Sequence, residues 1–162
     1  MSRAWLLFLA ITLLVGLGTR PAATQAKAIR PLASRSSRPA ATRPAFTCVE
    51  DAFTMCLNGG RFEVVASFDT SQGQSGSAEM VRLTDDSGYM WFFASSNIEA
   101  VVKVLNGCGL NARYWVFAGG LTDVHTLITV TDSITGAAVT YENPQKTAFQ
   151  PIQDTDALAV CP

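Results

Sequence analysis

The fold is decided by the stretch RFEVVASFD at residues 61–69. Its apolar side chains stand at every second position, at Phe62, Val64, Ala66 and Phe68, and most of the positions between and beside them are charged or polar. Successive side chains of a β-strand point to opposite faces of the sheet. This spacing therefore predicts a strand with one face in a core and the other toward water.

Further segments of strand character follow, separated by turn signals such as DDSG at 85–88 and DSITG at 132–136. Residues 99–104 have apolar side chains at alternate positions, and residues 124–131 are rich in β-branched side chains. Residues 89–93 and 114–117 are aromatic runs, and residues 137–141 are a short apolar segment. The pattern predicts an all-β fold. We expect an antiparallel β-sandwich, Ig-like or of a related Greek-key type, with about six to eight strands. No more helix than one turn, at residues 95–99, is expected.

The N-terminal region has the features of an export signal. Arg3 precedes an apolar run at residues 4–18, and small residues follow. Either residues 24–26 (TQA) or residues 26–28 (AKA, a literal Ala-x-Ala) fit a cleavage site. A helix over that run would rise about 22 Å, short of the ~30 Å hydrocarbon core of a membrane. We predict a cleaved signal peptide at residues 1–26, a secreted or periplasmic product, and no membrane span after cleavage.

Composition and charge change sharply after the signal. Residues 27–45 hold five basic residues and no acid among Pro, Ser and Ala, which predicts a disordered basic linker. Residues 46–162 form one domain by length. This domain holds five basic residues against all 13 acids, a net charge of 5 − 13 = −8. Because phosphate contacts need a basic face, nucleic acid is not expected as a partner.

Four cysteines remain after the signal, at positions 48, 56, 108 and 161. An even number in an exported chain predicts two disulfides. Because Cys48 and Cys161 bracket the domain, the favoured pairing is Cys48–Cys161 with Cys56–Cys108. The pairing Cys48–Cys56 with Cys108–Cys161 stays open.

Several longer motifs carry a resemblance to a known type of domain. They are CLNGGRFEV at 56–64, DDSGYMWFF at 85–93, NIEAVVKVLNGCGLNARYWVFAGGLTDV at 97–124 and VTDSITGAAVTYENP at 130–144. Together they resemble an all-β domain that recurs in secreted bacterial proteins and has no assigned activity. The resemblance implies export and a β fold, and it implies no catalytic residue.

Catalytic and metal-binding patterns are weak. His125 is the single histidine and lies in a β-branched run, and no G-x-S-x-G motif is present. The adjacent acids Asp85 and Asp86 are typical of a solvated turn. No cofactor is expected. Calcium is a weak candidate because several aspartates follow strands, at positions 85, 86, 123, 132, 154 and 156, although the D-x-D-x-D-G spacing is missing.

The aromatic runs are the best candidates for a binding site. Each has rings at consecutive positions, which is more than one core face can hold. We predict that Trp91 or Trp115, with Tyr114, lies partly exposed and contacts a ligand, since such rings suit recognition. The sequence therefore predicts a non-catalytic binding or accessory module for an extracellular protein or glycan. An extracellular protease inhibitor is the alternative, although the polar, Gly-rich loop at 70–78 is expected to be too flexible for it. A small hydrolase is a weaker one.

Overall fold

Strands dominate the described part of the chain. The structure is a computed structural model that describes residues 44–162 and the backbone of Ser34–Arg35. Its strands are β1 (Ser34–Arg35), β2 (Met55–Leu57), β3 (Phe62–Asp69), β4 (Ser75–Ser77), β5 (Glu79–Arg82), β6 (Ser87–Trp91), β7 (Ala100–Asn106), β8 (Tyr114–Gly120), β9 (His125–Asp132), β10 (Ala138–Asn143) and β11 (Ile152–Leu158). The one helix of this part, α1, spans Cys108–Asn111. Three of the eleven strands have only two or three residues. The prediction of an all-β chain is confirmed.

The predicted signal peptide, residues 1–26, lies outside the described residues. So does most of the predicted linker at 27–45. Within that linker, the backbone of β1 pairs antiparallel with β10, where Ser34 faces Glu142 and Arg35 faces Tyr141.

The first sheet has six strands in the order β1-β10-β9-β3-β2, with β4 also paired to β3. Strands β3 and β9 form its centre and pair from Phe62–Asp132 to Asp69–His125. Strands β2 and β4 occupy successive parts of the same edge of β3. All neighbours run antiparallel, so consecutive strands can be joined by short turns.

The second sheet has five strands in the order β11-β8-β7-β6-β5. Strands β5 to β8 form an antiparallel meander. The chain then crosses to the first sheet for β9 and β10, and it returns as β11 beside β8. Two sheets therefore enclose the space between them.

A single core fills that space. The predicted inward residues of two strands are buried there, and each strand alternates between buried and more exposed positions: Phe62, Val64 and Ala66 on β3, and Ala100, Val102 and Val104 on β7. At one end, the partly buried Phe68 stacks on Phe92, which directly follows β6 of the other sheet, at 4.6 Å between ring centroids. The period-two pattern thus gave the core face of both strands correctly.

The favoured disulfide pairing is wrong, and the second pairing is the one found. Cys48 is bonded to Cys56, and Cys108 to Cys161. The first pair forms because the chain turns back between Asp51 and Thr54, which brings Cys48 next to Cys56 on β2. The second pair forms because β11 lies beside β8, with Leu158 opposite Tyr114. This register brings the C-terminus to α1. No cysteine of the described residues is free.

The predicted helical turn at 95–99 is also wrong, because those residues form turns and bends. The helix lies instead at α1. It starts where the Asn106 side chain accepts a hydrogen bond from the Cys108 N–H (2.9 Å), and it ends at Ala112, which has a left-handed φ of 56°. The β9–β10 turn has Gly136 at a φ of 70°, as expected for that position.

Candidate binding surface

The outer face of the five-stranded sheet is apolar over much of its area. On β5 to β8 the core-facing residues alternate with residues that are partly or fully exposed. Seven of these outward residues are apolar or aromatic: Val81, Tyr89, Trp91, Val101, Leu105, Trp115 and Phe117. Glu79, Ser87 and Lys103 also point outward, so the outer face is largely rather than wholly apolar. A solvated antiparallel sheet normally has one polar face.

A groove crosses this face where a glycine faces a valine. Val101 on β7 pairs with Gly119 on β8, and both line a hollow of about 420 Å³. A second hollow of about 310 Å³ continues from it and shares Val101, Gly119 and Pro151 with the first. Exposed apolar residues lie at the two ends, with Leu83 64% exposed and Leu121 82% exposed. The two hollows form one largely apolar groove, the sheet groove, whose polar lining residues are Ser87, Lys103 and Gln153.

The two glycines that end β8 have different roles. A Cβ atom added at Gly119 would meet only the Cα of Pro151, at 3.9 Å. A Cβ atom at Gly120 would lie 2.7 Å from the ring of Phe149, inside contact distance. Gly120 is therefore required by packing, whereas Gly119 leaves space that the fold does not need.

Both predicted tryptophans lie on this outer face. Trp115 is half-buried, donates its Nε1–H to the side-chain oxygen of Asn111 (2.8 Å), and contacts Phe117 edge to face at 6.4 Å. Trp91 is also half-buried and lies opposite Glu79 at the other end of the sheet. The sheet groove lies between the two rings, so the structure places them on one surface without bringing them together.

The prediction that Tyr114 is exposed is wrong. Tyr114 is 5% exposed and faces the core, where its ring packs on Phe62 at 4.7 Å. Its hydroxyl accepts a hydrogen bond from Arg61 (3.0 Å), and the same guanidinium lies 4.6 Å from the centre of the tyrosine ring. In a run of consecutive aromatic residues, alternate rings must face inward, and Tyr114 is one of them.

Arg61 also holds a buried carboxylate. Its Nε donates to Asp132 at 2.8 Å, and its second terminal nitrogen donates to the carbonyl of Val160 near the C-terminus. Burial alone would raise the pKa of Asp132. Hydrogen bonds from Arg61 and from Thr135 outweigh that effect, and they hold the pKa below its ordinary value. Arg61 therefore joins Asp132 of the first sheet, Tyr114 of the second sheet and the C-terminal segment through one cation.

Four of the aspartates suggested as weak calcium ligands accept hydrogen bonds from protein donors at separate places in the fold. Asp154 accepts a hydrogen bond from the Tyr141 hydroxyl (2.9 Å), and Asp156 from Arg113 (2.6 Å). Asp85 accepts from the N–H of Gly59 (2.9 Å), and Asp86 from the hydroxyl of Thr84 (2.7 Å). Within residues 44–162, no three His, Cys, Asp or Glu side chains are grouped so as to hold a metal ion.

His125 lies on the outer face of the six-stranded sheet, between two carboxylates. Its Nδ1 hydrogen-bonds Asp69 of β3, and its Nε2 hydrogen-bonds Glu142 of β10 at 3.0 Å. The Asp69 bond, with a further contribution from Glu142, raises the pKa of His125 despite partial burial. With both ring nitrogens engaged, this histidine can clamp three neighbouring strands together.

The central residues of the surface, Val101, Phe117 and Gly119, were not among the predicted binding residues. A signal was available in YWVFAGG of β8, which has a large ring at alternate positions and then a glycine in the same outward register.

Comparison with family models, with curated proteins and with solved structures finds no match to this chain. Among residues 44–162, no helix is long and apolar enough to cross a membrane.

Proposed function

We propose that this chain is a secreted, non-catalytic binding module that docks an extracellular protein through the outer face of its five-stranded sheet. The observation that carries this proposal is the sheet groove, which is open and largely apolar and extends from Leu83 to Leu121. Contiguous exposed apolar patches on soluble domains are typical of interaction sites.

A protein partner fits this face better than a glycan does. The groove offers few polar groups in its central part, where Val101, Gly119 and Pro151 meet. A sugar brings many hydroxyls that such a surface cannot hydrogen-bond, and leaving polar groups unpaired is costly. Apolar side chains of a protein would instead bury surface against the groove, with Trp115 and Phe117 as aromatic anchors beside it.

Export is part of the proposal. Two disulfides in a chain of this size support an oxidising compartment, either outside the cell or in the periplasm. We class the fold as a β-sandwich with a Greek-key connection. The excursion of β9 and β10 into the other sheet before β11 returns beside β8 supports that class. An Ig-like relationship is a further step that no particular connection supports.

One observation favours the alternative of a protease inhibitor. The turn after β3 is held by hydrogen bonds, since Thr70 N–H donates to the Gln74 carbonyl (2.8 Å) and Gln74 N–H to the Thr70 hydroxyl (3.0 Å). Residues 75–77 then pair with β3 as β4. The segment is thus more ordered than a flexible polar loop. Its side chains at 71–77 are small or polar, and none is an apolar anchor.

The test is a pull-down with groove variants. The mature domain is immobilised and exposed to the medium and envelope fraction of the producing cell. Gly119→Leu fills the groove with little steric conflict, so we expect it to keep its melting temperature and to lose the bound protein. Ser67→Leu, which adds the same side chain to the outer face of the other sheet, is the matched control and should retain the protein.

Two outcomes would contradict this proposal. One is a protein that binds Gly119→Leu as well as it binds the unmodified domain. The other is a dimer of the domain that sedimentation velocity detects and that Gly119→Leu dissociates, because the groove would then be filled by a second copy.

A further inference from the structure

A second cleft, distinct from the sheet groove, lies at the end of the molecule where β3 ends and β9 begins. It has a volume of about 420 Å³, within the range of about 300–1,000 Å³ that is typical of ligand sites. It shares no lining residue with the sheet groove. This cleft is called the polar cleft. Its walls come from residues 70–74, Phe93, residues 123–124 and residues 145–146.

The walls of this polar cleft are fixed by hydrogen bonds. The buried side-chain amide of Asn143 donates to the carbonyls of Val124 (3.1 Å) and Thr147 (2.9 Å), which joins the segment before β9 to the segment after β10. The Lys146 N–H donates to the Asp123 carbonyl at 2.7 Å, and Lys146 has a left-handed φ of 60°. A non-glycine residue in that region is uncommon and is kept where the surroundings require it.

The polar groups of the cleft suit a neutral ligand rich in hydroxyls. Three glutamine amides line it, and each offers both donors and acceptors. Within residues 44–162, the side chains of Gln72 and Gln74 make no hydrogen bond, so these groups are available to a ligand. Asp123 and Lys146 carry opposite charges, and the cleft therefore favours neither a polyanion nor a polycation.

One wall is aromatic. Phe93 is 49% exposed. Its ring packs in a T-shaped arrangement against Phe68 and Phe92, with 5.2 Å and 6.0 Å between the ring centroids. The face of such a ring is electron-rich and attracts weakly positive hydrogens. The C–H groups on one face of a sugar ring are hydrogens of this kind, while the hydroxyls around its rim match the glutamine amides.

We propose that the polar cleft binds a neutral saccharide unit, with Phe93 under the sugar face and the amides of Gln72 and Gln74 on its hydroxyls. The inference is independent of the protein-docking function. It uses different residues, so each proposal can fail without the other.

The test is a nuclear magnetic resonance titration of the full mature chain. The probes are lactose, maltotriose, cellotriose and tri-N-acetylchitotriose as neutral sugars, with anionic sialyllactose and zwitterionic glycine as comparisons. We expect one neutral sugar to bind and to shift the signals of the cleft residues. The double variant Gln72→Ala/Gln74→Ala should weaken that binding about tenfold, the effect of losing two modest hydrogen bonds.

Two further variants complete the design. Phe93→Leu keeps an apolar side chain but removes the ring face, and we expect weaker binding without loss of the folded spectrum. Gln153→Ala, in the sheet groove, is the matched control and should bind as the unmodified chain does. Failure of all four neutral sugars to bind at millimolar concentration would overturn the proposal. So would binding that the cleft variants leave unchanged, or a preference for sialyllactose or glycine.

Discussion

The outer faces of the two sheets differ in chemistry although both sheets cover the same core. On the six-stranded sheet, Val65 and Leu127 point outward among mostly polar residues. The polar groups pair with one another, as in the Thr129–Thr140 hydroxyl pair (3.0 Å) and the His125 cluster with Asp69 and Glu142. On the five-stranded sheet, the outward positions hold Tyr89, Trp91, Val101, Trp115 and Phe117 around an open groove.

This difference teaches that the core alone does not explain the composition of the five-stranded sheet. An antiparallel sheet needs one apolar face for its core and can solvate the other, as the six-stranded sheet does. A second apolar face adds nothing to the core of an isolated domain. The second apolar face is explained if a partner protein covers it.

The largest effect is expected inside the six-stranded sheet, at Asp132. Asp132→Ala leaves the largely buried Arg61 without its carboxylate, and we expect the free energy of unfolding to fall by about 3–5 kcal/mol. Asp156→Ala breaks an exposed pair with Arg113 and should cost no more than about 1 kcal/mol. Urea unfolding measures both. Equal losses would refute the structural role of the Arg61 network.

The two disulfides should stabilise unequally. Cys108–Cys161 has a sequence separation of 53 residues and Cys48–Cys56 one of only 8. In the chain-entropy model the longer loop contributes about 4 kcal/mol and the shorter about 2.5 kcal/mol. Denaturant midpoints of the two double Cys→Ala variants check the order. A free thiol, or a linked peptide that joins positions 48 and 161, would overturn the connectivity itself.

The adjacent glycines of β8 separate packing from binding. Gly120→Leu forces a side chain into Phe149 and should cost about 1–3 kcal/mol or more. Gly119→Leu, on the open side, should change stability by less than about 1 kcal/mol. Thermal melting of the two variants makes the comparison. If Gly119→Leu were the more damaging of the two, the sheet groove would not be open space.

The smallest effect is expected on the polar outer face. The folded state raises the pKa of His125 above its ordinary value of 6.5. The stabilisation of the fold by protonated His125 is therefore fully present below pH 6.5, and it is lost as the pH rises through the folded pKa. Unmodified protein should therefore lose stability relative to His125→Gln as pH rises above neutrality, by at most about 1 kcal/mol. Melting curves across this range test it. A difference between the two proteins that does not change with pH would exclude the charged clamp.

Much of the fold could be predicted from sequence because alternation is local. The period of two at residues 61–69 and 99–104 gave two strands and their core faces correctly. Strand β11 escaped prediction because its register shifts between Asp154 and Leu158, so its buried residues do not alternate.

The candidate site was less predictable, for a physical reason. In YWVF every residue is apolar, so the pattern gives no sign of which residues face inward, and Tyr114 was wrongly placed outside. The groove depends on Gly119 of β8 standing opposite Val101 of β7, which only the pairing register reveals. Disulfide pairing has the same origin, since it follows from which strands are neighbours.

The most direct test of the docking claim is site-specific photo-cross-linking in the producing cell. A benzophenone amino acid is placed at Val101 in the sheet groove or, as the control, at Ser67 on the outer face of the six-stranded sheet. The account predicts a discrete cross-linked partner protein from position 101 and none from position 67. No discrete product from position 101, or the same product from both positions, would contradict it.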